Sequence, residues 1–476
     1  MSMSHPPVIF WLRRDLRLAD NPALLAALKA AGEGGVLPLF IVDERIVKSA
    51  GPTRVQFLHD SLRALNESMG NHLVVRYGSP LEVLRTVMAE SRATQIFVTQ
   101  DFAPLGIKRD DAIRRELSSA QFHAVGTPYI VPPGSIFSKS NEPFKVFTAF
   151  RRVWDTFEIA RPLDAPVNPT WFQASSDSLA GLTDMAGRTV PSYFGDLAAL
   201  PMARPTTAGE AEAHRLLESF RDRVDDYSTN RNIPGLNGTS MLSPHLRFGS
   251  IHPRQVADAL IGDSEDRRVF LSEIAWREFY ADVLFNHPQS VADVLQPTMR
   301  HLPVDRDAAA EERFRSWARG ETGYPLVDAG MRQLLATGWM HNRVRMVAAS
   351  FLVKHLHLDW RWGAQWFMWR LIDGDIASNQ HGWQWAAGTG TDAAPYHRVF
   401  NPTLQAERFD ADGTYVQTWI PELAAVDAPQ CLQPGGGEGL LAPPDYVRPM
   451  IDAKTEREEA LRRFALAREL AASKHV

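Results

Sequence analysis

The first 125 residues of this 476-residue chain alternate short apolar runs with helical patterns. The apolar runs cover residues 8–11, 36–42, 73–77, 95–99 and 122–125, and helical periodicity appears near 53–69, 80–90 and 107–119. This alternation is typical of a parallel sheet that helices cover on both faces. After the first run, Asp20 or Asn21 can cap a helix that has Pro22 in its first turn. We therefore expect a doubly wound α/β domain with Rossmann-like topology.

The turn after the first strand contains no Gly-x-Gly-x-x-Gly, the fingerprint of a dinucleotide site. We therefore expect any nucleotide cofactor to bind elsewhere in the chain. Prolines are frequent and periodicity is weak between residues 131 and 208, which indicates an interdomain connection with short helices such as 147–157. From residue 210 the pattern is helical. The predicted organisation is an α/β domain at 1–130, a linker at 131–208 and a helical domain at 209–476.

Composition narrows the class of protein. The formal net charge of -5 gives no global sign of a nucleic-acid partner, so any DNA site must be a local basic patch. The single cysteine, Cys431, excludes an intramolecular disulfide and is typical of a reducing cytoplasm. No apolar stretch approaches the roughly 18 residues that a membrane span requires. We expect a cytoplasmic protein without a membrane segment.

The stretch between residues 339 and 398 has the highest density of tryptophan, histidine, arginine and acidic turn residues in the chain. Its helical stripe of apolar residues leaves Asn342, Arg343 and Met346 facing a different environment. A turn at 373–375 then carries two carboxylates, and an uncharged amide and aromatic cluster follows at 379–385. These features together indicate the wall of a pocket for a large flat ligand, although each residue alone is more typical of a core or a turn. The stretch holds seven of the thirteen tryptophans: Trp339, Trp360, Trp362, Trp366, Trp369, Trp383 and Trp385.

Two earlier segments also contain candidate binding residues. A glycine- and hydroxyl-rich loop at 235–244 can present backbone N–H groups to a phosphate, although helix capping alone also explains it. Further on, Glu273 and Trp276 share a helix face, with Arg277 four residues after Glu273; a surface ion pair beside a core tryptophan is the alternative. The histidines form neither a His-Glu-x-x-His motif nor a zinc knuckle, so no metal site is predicted.

The sequence motifs at 11–22, 338–343, 373–375 and 388–396, together with Asn379, resemble those of the photolyase and cryptochrome flavoproteins. The similarity is strongest to class I cyclobutane pyrimidine dimer photolyases and runs from the first strand to about residue 423. It implies an N-terminal α/β antenna domain followed by an all-α FAD-binding domain. The implied activity is the light-driven repair of cyclobutane pyrimidine dimers in UV-damaged DNA.

The resemblance also implies two cofactor sites. The antenna chromophore would bind near residues 101–110. The resemblance does not distinguish methenyltetrahydrofolate from 8-hydroxy-5-deazaflavin as that chromophore. At the FAD site, Met241 replaces an arginine that is common in the family, so one contact is lost or replaced. The implied FAD contacts are Tyr227, Thr239, Ser240, Leu242, Ser243, Arg277, Trp339, Asn342, Arg345, Asp373, Asp375 and Asn379.

Catalytic roles follow from the same resemblance. The neutral amide of Asn379 would bond the flavin without placing a carboxylate beside it, which favours the reduced flavin. Asn342 and Met346 stand where (6-4) enzymes have a catalytic histidine pair, so a (6-4) activity is disfavoured. The implied catalytic residues are Glu273, Asn342, Met346 and Asn379. The implied DNA contacts are Arg231, Glu273, Trp276, Asn342, Arg343, Met346, Trp385 and Arg398.

The family's electron relay has three tryptophans, of which only two are matched here. Trp383 and Trp360 correspond to the inner and middle members. No tryptophan lies between Trp276 and Trp317, and the nearest counterpart of the outer member is Val304. The sequence therefore predicts slower or rerouted photoreduction that ends on another exposed aromatic residue such as Trp317.

Two other functions compete with repair. A cryptochrome-like blue-light receptor without repair activity is the first, although Asn379 and Met346 speak against it. A light-independent flavin oxidoreductase is the second, but the sequence shows no second nucleotide fingerprint and no acid/base set. A monomer that binds UV-damaged DNA is expected.

Overall fold

The computed structural model describes residues 5–391, 398–437 and 443–473. Its strands are β1 (Val8–Leu12), β2 (Val36–Val42), β3 (Val74–Tyr77), β4 (Gln95–Val98) and β5 (Gln121–Ala124). Its helices are α1 (Pro22–Ala31), α2 (Glu44–Ser49), α3 (Pro52–Ser68), α4 (Pro80–Ser91), α5 (Pro104–Glu116), α6 (Phe147–Trp154), α7 (Glu210–Arg221), α8 (Tyr227–Asn230), α9 (Ser243–Phe248), α10 (Pro253–Ala259), α11 (Glu265–Asn286), α12 (Ala308–Arg319), α13 (Pro325–Thr337), α14 (Asn342–Lys354), α15 (Trp360–Arg370), α16 (Ile376–Ala387), α17 (Pro402–Phe409), α18 (Thr414–Trp419) and α19 (Ala453–Ser473).

The chain divides into two compact units, each built from three separate segments. The first unit contains Met1–Thr189, Pro205–Asp225 and Ser240–Pro288. The second unit contains Val190–Arg204, Asp226–Thr239 and Gln289–Val476. The boundaries that the sequence suggested, at residues 130 and 208, stay a prediction.

The first unit is built on a five-stranded parallel sheet in the order β3-β2-β1-β4-β5. Alternate residues of the central strand enter opposite cores: Phe10 packs on one face of the sheet, whereas Ile9 and Trp11 pack on the other. Both faces are therefore buried, and the predicted doubly wound α/β architecture is confirmed. As predicted, α1 has Pro22 in its first turn and is capped by Asn21, whose side-chain oxygen accepts from the Leu24 N–H at 3.1 Å.

Two buried carboxylates on α11 hold the segment that follows the sheet. Glu278 accepts from the N–H groups of Ile130 and Val131 and from the Trp154 indole, the last at 2.7 Å. Asp282 accepts from the Gly134 N–H at 2.7 Å. Burial raises the pKa of Glu278 and raises the pKa of Asp282 to about 6. These bonds anchor residues 130–134 and α6 on α11.

The second unit is helical in all of its described core elements, and α12 to α16 supply most of its core. The apolar stripe predicted on α14 is buried, with Val344, Val347 and Phe351 each no more than 1% exposed. Off that stripe, Asn342 is exposed and Met346 is half-buried, as the helical spacing predicted. The accessible residues of α14 therefore lie in its N-terminal part, because every residue from Val347 to Lys354 is buried.

Candidate functional site

Arg345 and Asp373 form a two-point ion pair in the second unit. Arg345 lies on α14 and donates both terminal nitrogens to Asp373, at 3.2 and 2.8 Å, while its Nε donates to the Met340 carbonyl at 2.7 Å. Asp373 stands in the turn before α16 and is buried. A bidentate pair of this kind fixes both side chains and so gives the turn a defined position.

Asp375, Asn379 and Gly382 lie at the N-cap and in the first two turns of α16. Asp375 caps the helix by accepting from the N–H groups of Ala377 and Ser378, both at 3.1 Å. The Asn379 amide nitrogen donates to the Ala364 carbonyl at 3.1 Å, and no donor among the described residues reaches its carbonyl oxygen. Gly382 shares this helix face, and a Cβ there would meet no described atom within 4 Å. The face therefore combines an unengaged acceptor with open space.

Trp383, the predicted inner relay residue, is 2% exposed and lies among aromatic rings. Its ring centroid is 5.0 Å from Phe367 and 6.0 Å from Trp317, and both contacts are edge-on. The prediction that Trp317 is an exposed aromatic residue is wrong, because its side chain is fully buried and its indole donates to the Ala348 carbonyl. Trp360 is 4% exposed, and neither its indole nitrogen nor that of Trp383 has a partner among the described residues.

The turn between α13 and α14 carries Trp339 and His341. Trp339 is half-buried and meets the His341 ring edge-on at 6.2 Å. His341 caps α14, because its Nδ1 accepts from the Arg343 N–H at 3.2 Å. Burial, and then the charges of Arg343, Arg345 and Arg231, lower the pKa of His341 to about 4. This histidine is therefore neutral at physiological pH.

Each of the three arginines predicted to bind DNA lies over an aromatic ring. Arg343 lies 4.4 Å from the Phe409 ring and also donates to the Asn232 side chain. Arg231 lies 5.6 Å from Tyr227, and the exposed Arg398 lies 5.6 Å from Phe400. Stacking of this kind restricts the guanidinium to one plane, which preorganises it for an anion.

The remaining predicted residues of the second unit differ in how far they are buried. Trp385, near the end of α16, is half-buried. Tyr227 is buried, Thr239 is half-buried, and between them a Cβ at Gly238 would lie 2.6 Å from the Asn230 carbonyl oxygen. Glycine thus permits the close backbone approach of this loop. Residues 392–396 of the motif at 388–396 lie outside the ranges that the structure describes.

In the first unit, Glu273 and Trp276 are both half-buried on α11. Phe147, the first residue of α6, stacks on Trp276 with ring centroids 3.7 Å apart and planes 11° from parallel. One face of the indole is therefore already covered by a ring of the same unit. Sequence reasoning missed Phe147, because no local pattern signals a partner so distant along the chain.

Arg277 connects α11 to the short helix α9. Its terminal nitrogens donate to the carbonyls of Pro128 and Leu246, at 3.1 and 3.4 Å, and its guanidinium lies 4.7 Å from the Tyr129 ring. Leu246 belongs to α9, which begins at Ser243 near the end of the predicted cofactor loop. Arg277 therefore stabilises the helix that follows this loop. In that loop Ser240 accepts from the Leu242 N–H, and Met241 adopts a left-handed conformation with φ 56°.

The predicted antenna segment forms a charged cluster at the carboxyl ends of β1 and β4. Arg13 and Arg109 lie 5.0 and 4.9 Å from the Trp11 ring. Arg13 pairs with Asp110 at 2.6 Å, and Arg109 pairs with Asp101 at 3.2 Å. The order of the sheet reverses between β1 and β4, where α/β folds bind ligands.

The described residues show neither a metal-binding group nor a membrane span. Across 5–391, 398–437 and 443–473, no three histidine, cysteine or acidic side chains converge as a metal ion would require. Within the same ranges, no helix has the length and apolar character needed to cross a bilayer.

The α/β part, the helical part and the candidate cofactor site define the class of the protein as a flavoprotein with two parts. Family models match both parts of the chain. Residues 8–168 match the model described as DNA photolyase, and residues 270–466 match the FAD binding domain of DNA photolyase. A deoxyribodipyrimidine photo-lyase of Halobacterium salinarum is 38% identical over 97% of this chain and 99% of the relative. The chain belongs to the DNA photolyase family, which confirms the family predicted from the sequence.

Solved structures agree with this assignment. A bacterial class III photolyase from Agrobacterium tumefaciens has a TM-score of 0.87 and 35% identity, covering 98% of this chain and 99% of its own. A Synechocystis cryptochrome has a TM-score of 0.83 and 26% identity, covering 97% of this chain and 100% of its own. Both support the α/β part followed by a helical part, and the finer similarity to class I enzymes stays a prediction.

Proposed function

We propose that this chain is a deoxyribodipyrimidine photo-lyase, which uses light to split cyclobutane pyrimidine dimers in UV-damaged DNA. The observation that carries the proposal is the α16 face, which combines the unengaged Asn379 carbonyl oxygen with the open space at Gly382, one helical turn further on. A neutral acceptor beside open space suits a flavin ring edge, and curated relatives that match nearly the whole chain are named for this activity.

The residues present fit FAD. When bound, FAD supplies the light absorption and the single electron that dimer cleavage needs. Arg345 and Asp373 hold their own positions by a two-point pair, so they offer a fixed surface to the cofactor. Asn379 has its amide nitrogen engaged with Ala364, so its carbonyl oxygen is the atom available to accept from a ring N–H. The proposed contacts are Tyr227, Thr239, Ser240, Leu242, Ser243, Arg277, Trp339, Asn342, Arg345, Asp373, Asp375 and Asn379.

The proposed DNA contacts combine aromatic faces with stacked arginines. Trp276 and Trp385 offer faces to unstacked bases, which bind aromatic rings with about 1 to 3 kcal/mol per base. Asn342 and Met346 lie one helical turn apart in the accessible N-terminal part of α14 and would contact the dimer, as would Glu273. Arg231, Arg343 and Arg398 would bind phosphates. Photolyases are among the enzymes that flip their target out of the duplex, and this extrusion costs less free energy for a damaged pair than for an intact one.

An antenna chromophore is proposed at the carboxyl end of the sheet. The Trp11 ring is buried there against Arg13 and Arg109, and the partly exposed Arg109 guanidinium is the planar group that an aromatic chromophore would meet. Methenyltetrahydrofolate and 8-hydroxy-5-deazaflavin are both aromatic, and either suits that chemistry. Extraction of the purified protein and an absorption spectrum of the released chromophores distinguish the two.

A receptor without repair activity is the second candidate, because a cryptochrome matches 97% of the chain with a TM-score of 0.83. A single experiment separates the two functions. The purified protein is reduced anaerobically, mixed with an oligothymidine that contains cyclobutane dimers, and followed by the recovery of thymine absorbance. Recovery under blue light and none in darkness is expected. No recovery from a protein that still photoreduces its flavin would favour the receptor.

A further inference from the structure

A small cavity of about 190 Å³ opens beside Trp360 in the second unit. Trp360 and Val304 line it, and the guanidiniums of Arg300, Arg306 and Arg361 surround it. The volume is below the roughly 300 to 1,000 Å³ of pockets for drug-sized ligands. The cavity therefore admits one small ring and is too small for a dinucleotide.

The charges at this cavity favour an anion. Arg300 pairs with Asp293 at 2.8 Å, Arg306 pairs with Asp359 at 2.7 Å, and Arg361 reaches both carboxylates at 3.9 and 3.1 Å. Three guanidiniums thus face two carboxylates, which leaves one positive charge in excess. The side chains of Arg300 and Arg306 are 52% and 61% exposed, so both can turn towards an incoming anion.

The backbone explains why the cavity is open at this position. Asp305 forms a bridge with Leu358, and its N–H donates to the His357 carbonyl at 2.9 Å. This pairing fixes Val304 beside the start of α15, where Trp360 lies. Valine is much smaller than an indole, so the space that a tryptophan would fill at position 304 is left open.

The buried Trp383 ring packs against α15 about one helical turn after Trp360. A Cβ at Gly363 would lie 2.1 Å from the six-membered ring of Trp383, so that ring rests on Gly363. Gly363 and Trp360 are three residues apart on α15 and share a helix face. An electron that leaves Trp360 therefore has a short route to Trp383.

From these observations we infer that the cavity binds a small planar anionic enediol, which donates one electron directly to Trp360. The inference rests on the proposed function and on the electron relay that the family resemblance implies, in which Trp360 gives an electron towards Trp383. The oxidised Trp360 indole takes one electron from the bound enediolate and returns to its neutral form. The enediolate loses that electron and releases its remaining acidic proton to solvent. Trp360 is then the last protein member of the relay.

Ascorbate is the probe that tests this site. Its binding to the FAD-loaded protein is measured by calorimetry in the dark, which does not depend on catalysis. We expect saturable binding that Val304→Trp abolishes by filling the cavity. Arg300→Ala should weaken binding by about tenfold or more, because a charge-assisted hydrogen bond is lost. Arg315→Ala, on the remote surface of α12, is the matched control and should leave binding unchanged.

Transient absorption provides the second measurement. In the wild-type protein, the decay rate of the tryptophan radical should level off as the ascorbate concentration rises, whereas Val304→Trp should give a linear dependence. Calorimetry without binding, or a linear dependence in both proteins, would overturn the site. Dimer repair by chemically reduced protein needs no electron from Trp360, so failure of the cavity proposal leaves that assay unchanged. Failure of the proposed function would abolish the repair itself.

Discussion

His341 links the start of α14 to the acid stability of the second unit. Its Nδ1 accepts from the Arg343 N–H, and its pKa is lowered to about 4 because burial and three arginines oppose the imidazolium. The unfolded chain binds this proton with an ordinary pKa of about 6.5. The unfolded state therefore binds more protons between these values, and stability falls as pH falls through them.

The predicted contribution of His341 is about 3 kcal/mol, fully present above pH of about 6.5 and lost by about 4. His341→Asn keeps a side-chain acceptor for the helix cap but removes the titrating group. Its free energy of unfolding should therefore depend less steeply on pH in this window, which denaturant titrations at several pH values measure. Parallel profiles for the two proteins would contradict the prediction.

Two glycines on adjacent helices of the second unit have opposite surroundings. On α15, a Cβ at Gly363 would lie 2.1 Å from the ring of Trp383, which Phe367 and Trp317 hold in place. On α16, a Cβ at Gly382 would meet no described atom within 4 Å. The same substitution by alanine therefore tests packing at one helix and ligand space at the other.

Gly363→Ala should lower the free energy of unfolding by about 1 to 3 kcal/mol, because the methyl group overpacks a close-packed core. Gly382→Ala should leave the FAD-free protein equally stable or slightly more stable, because alanine favours the helix by up to about 1 kcal/mol. It should nevertheless weaken FAD binding if the open space belongs to the cofactor. Thermal unfolding without FAD and the dissociation constant for FAD measure the two effects. Unaltered FAD binding by Gly382→Ala would remove the support for that face.

Among the helices and strands, the sequence predicts those whose hydrophobic periodicity is strong. It does not predict contacts between side chains that are distant along the chain. The strand at 36–42 was predicted at its observed bounds, because a strand buried on both faces is a continuous apolar run. Trp317 was misjudged, although Ala310 and Phe314 complete an apolar stripe with it on α12 and could have signalled its burial. The stack of Phe147 on Trp276 has no local signal, because it depends on how α6 packs against α11.

The whole molecule is mildly acidic, with a formal charge of -5, and yet DNA is its proposed substrate. Binding must then depend on a few local phosphate contacts, each of which contributes about 0.9 to the slope of log affinity against log salt concentration. Arg343→Ala should weaken DNA binding and reduce that slope by about 0.9. Arg343→Lys should keep the slope and still lose affinity, because lysine cannot reproduce the stacking on Phe409.

Fluorescence anisotropy with a dimer-containing duplex at several salt concentrations measures both quantities. Arg315→Ala serves again as the control, because Arg315 pairs with Glu311 and Glu312 on the surface of α12. An Arg343→Ala protein with the wild-type slope would exclude Arg343 from the phosphate contacts.

The segmented first unit constrains how the protein matures on the ribosome. The loop after β1 depends on residues made much later: Leu16 donates to the Phe248 carbonyl, Arg17 donates to the Gly249 carbonyl, and Asp20 pairs with Arg254. The buried Arg17 can reach the Gly249 carbonyl only after the segment Ser240–Pro288 has emerged. The N-terminal sheet therefore cannot complete its fold during early synthesis, and more than half of the chain must leave the exit tunnel before the first unit closes.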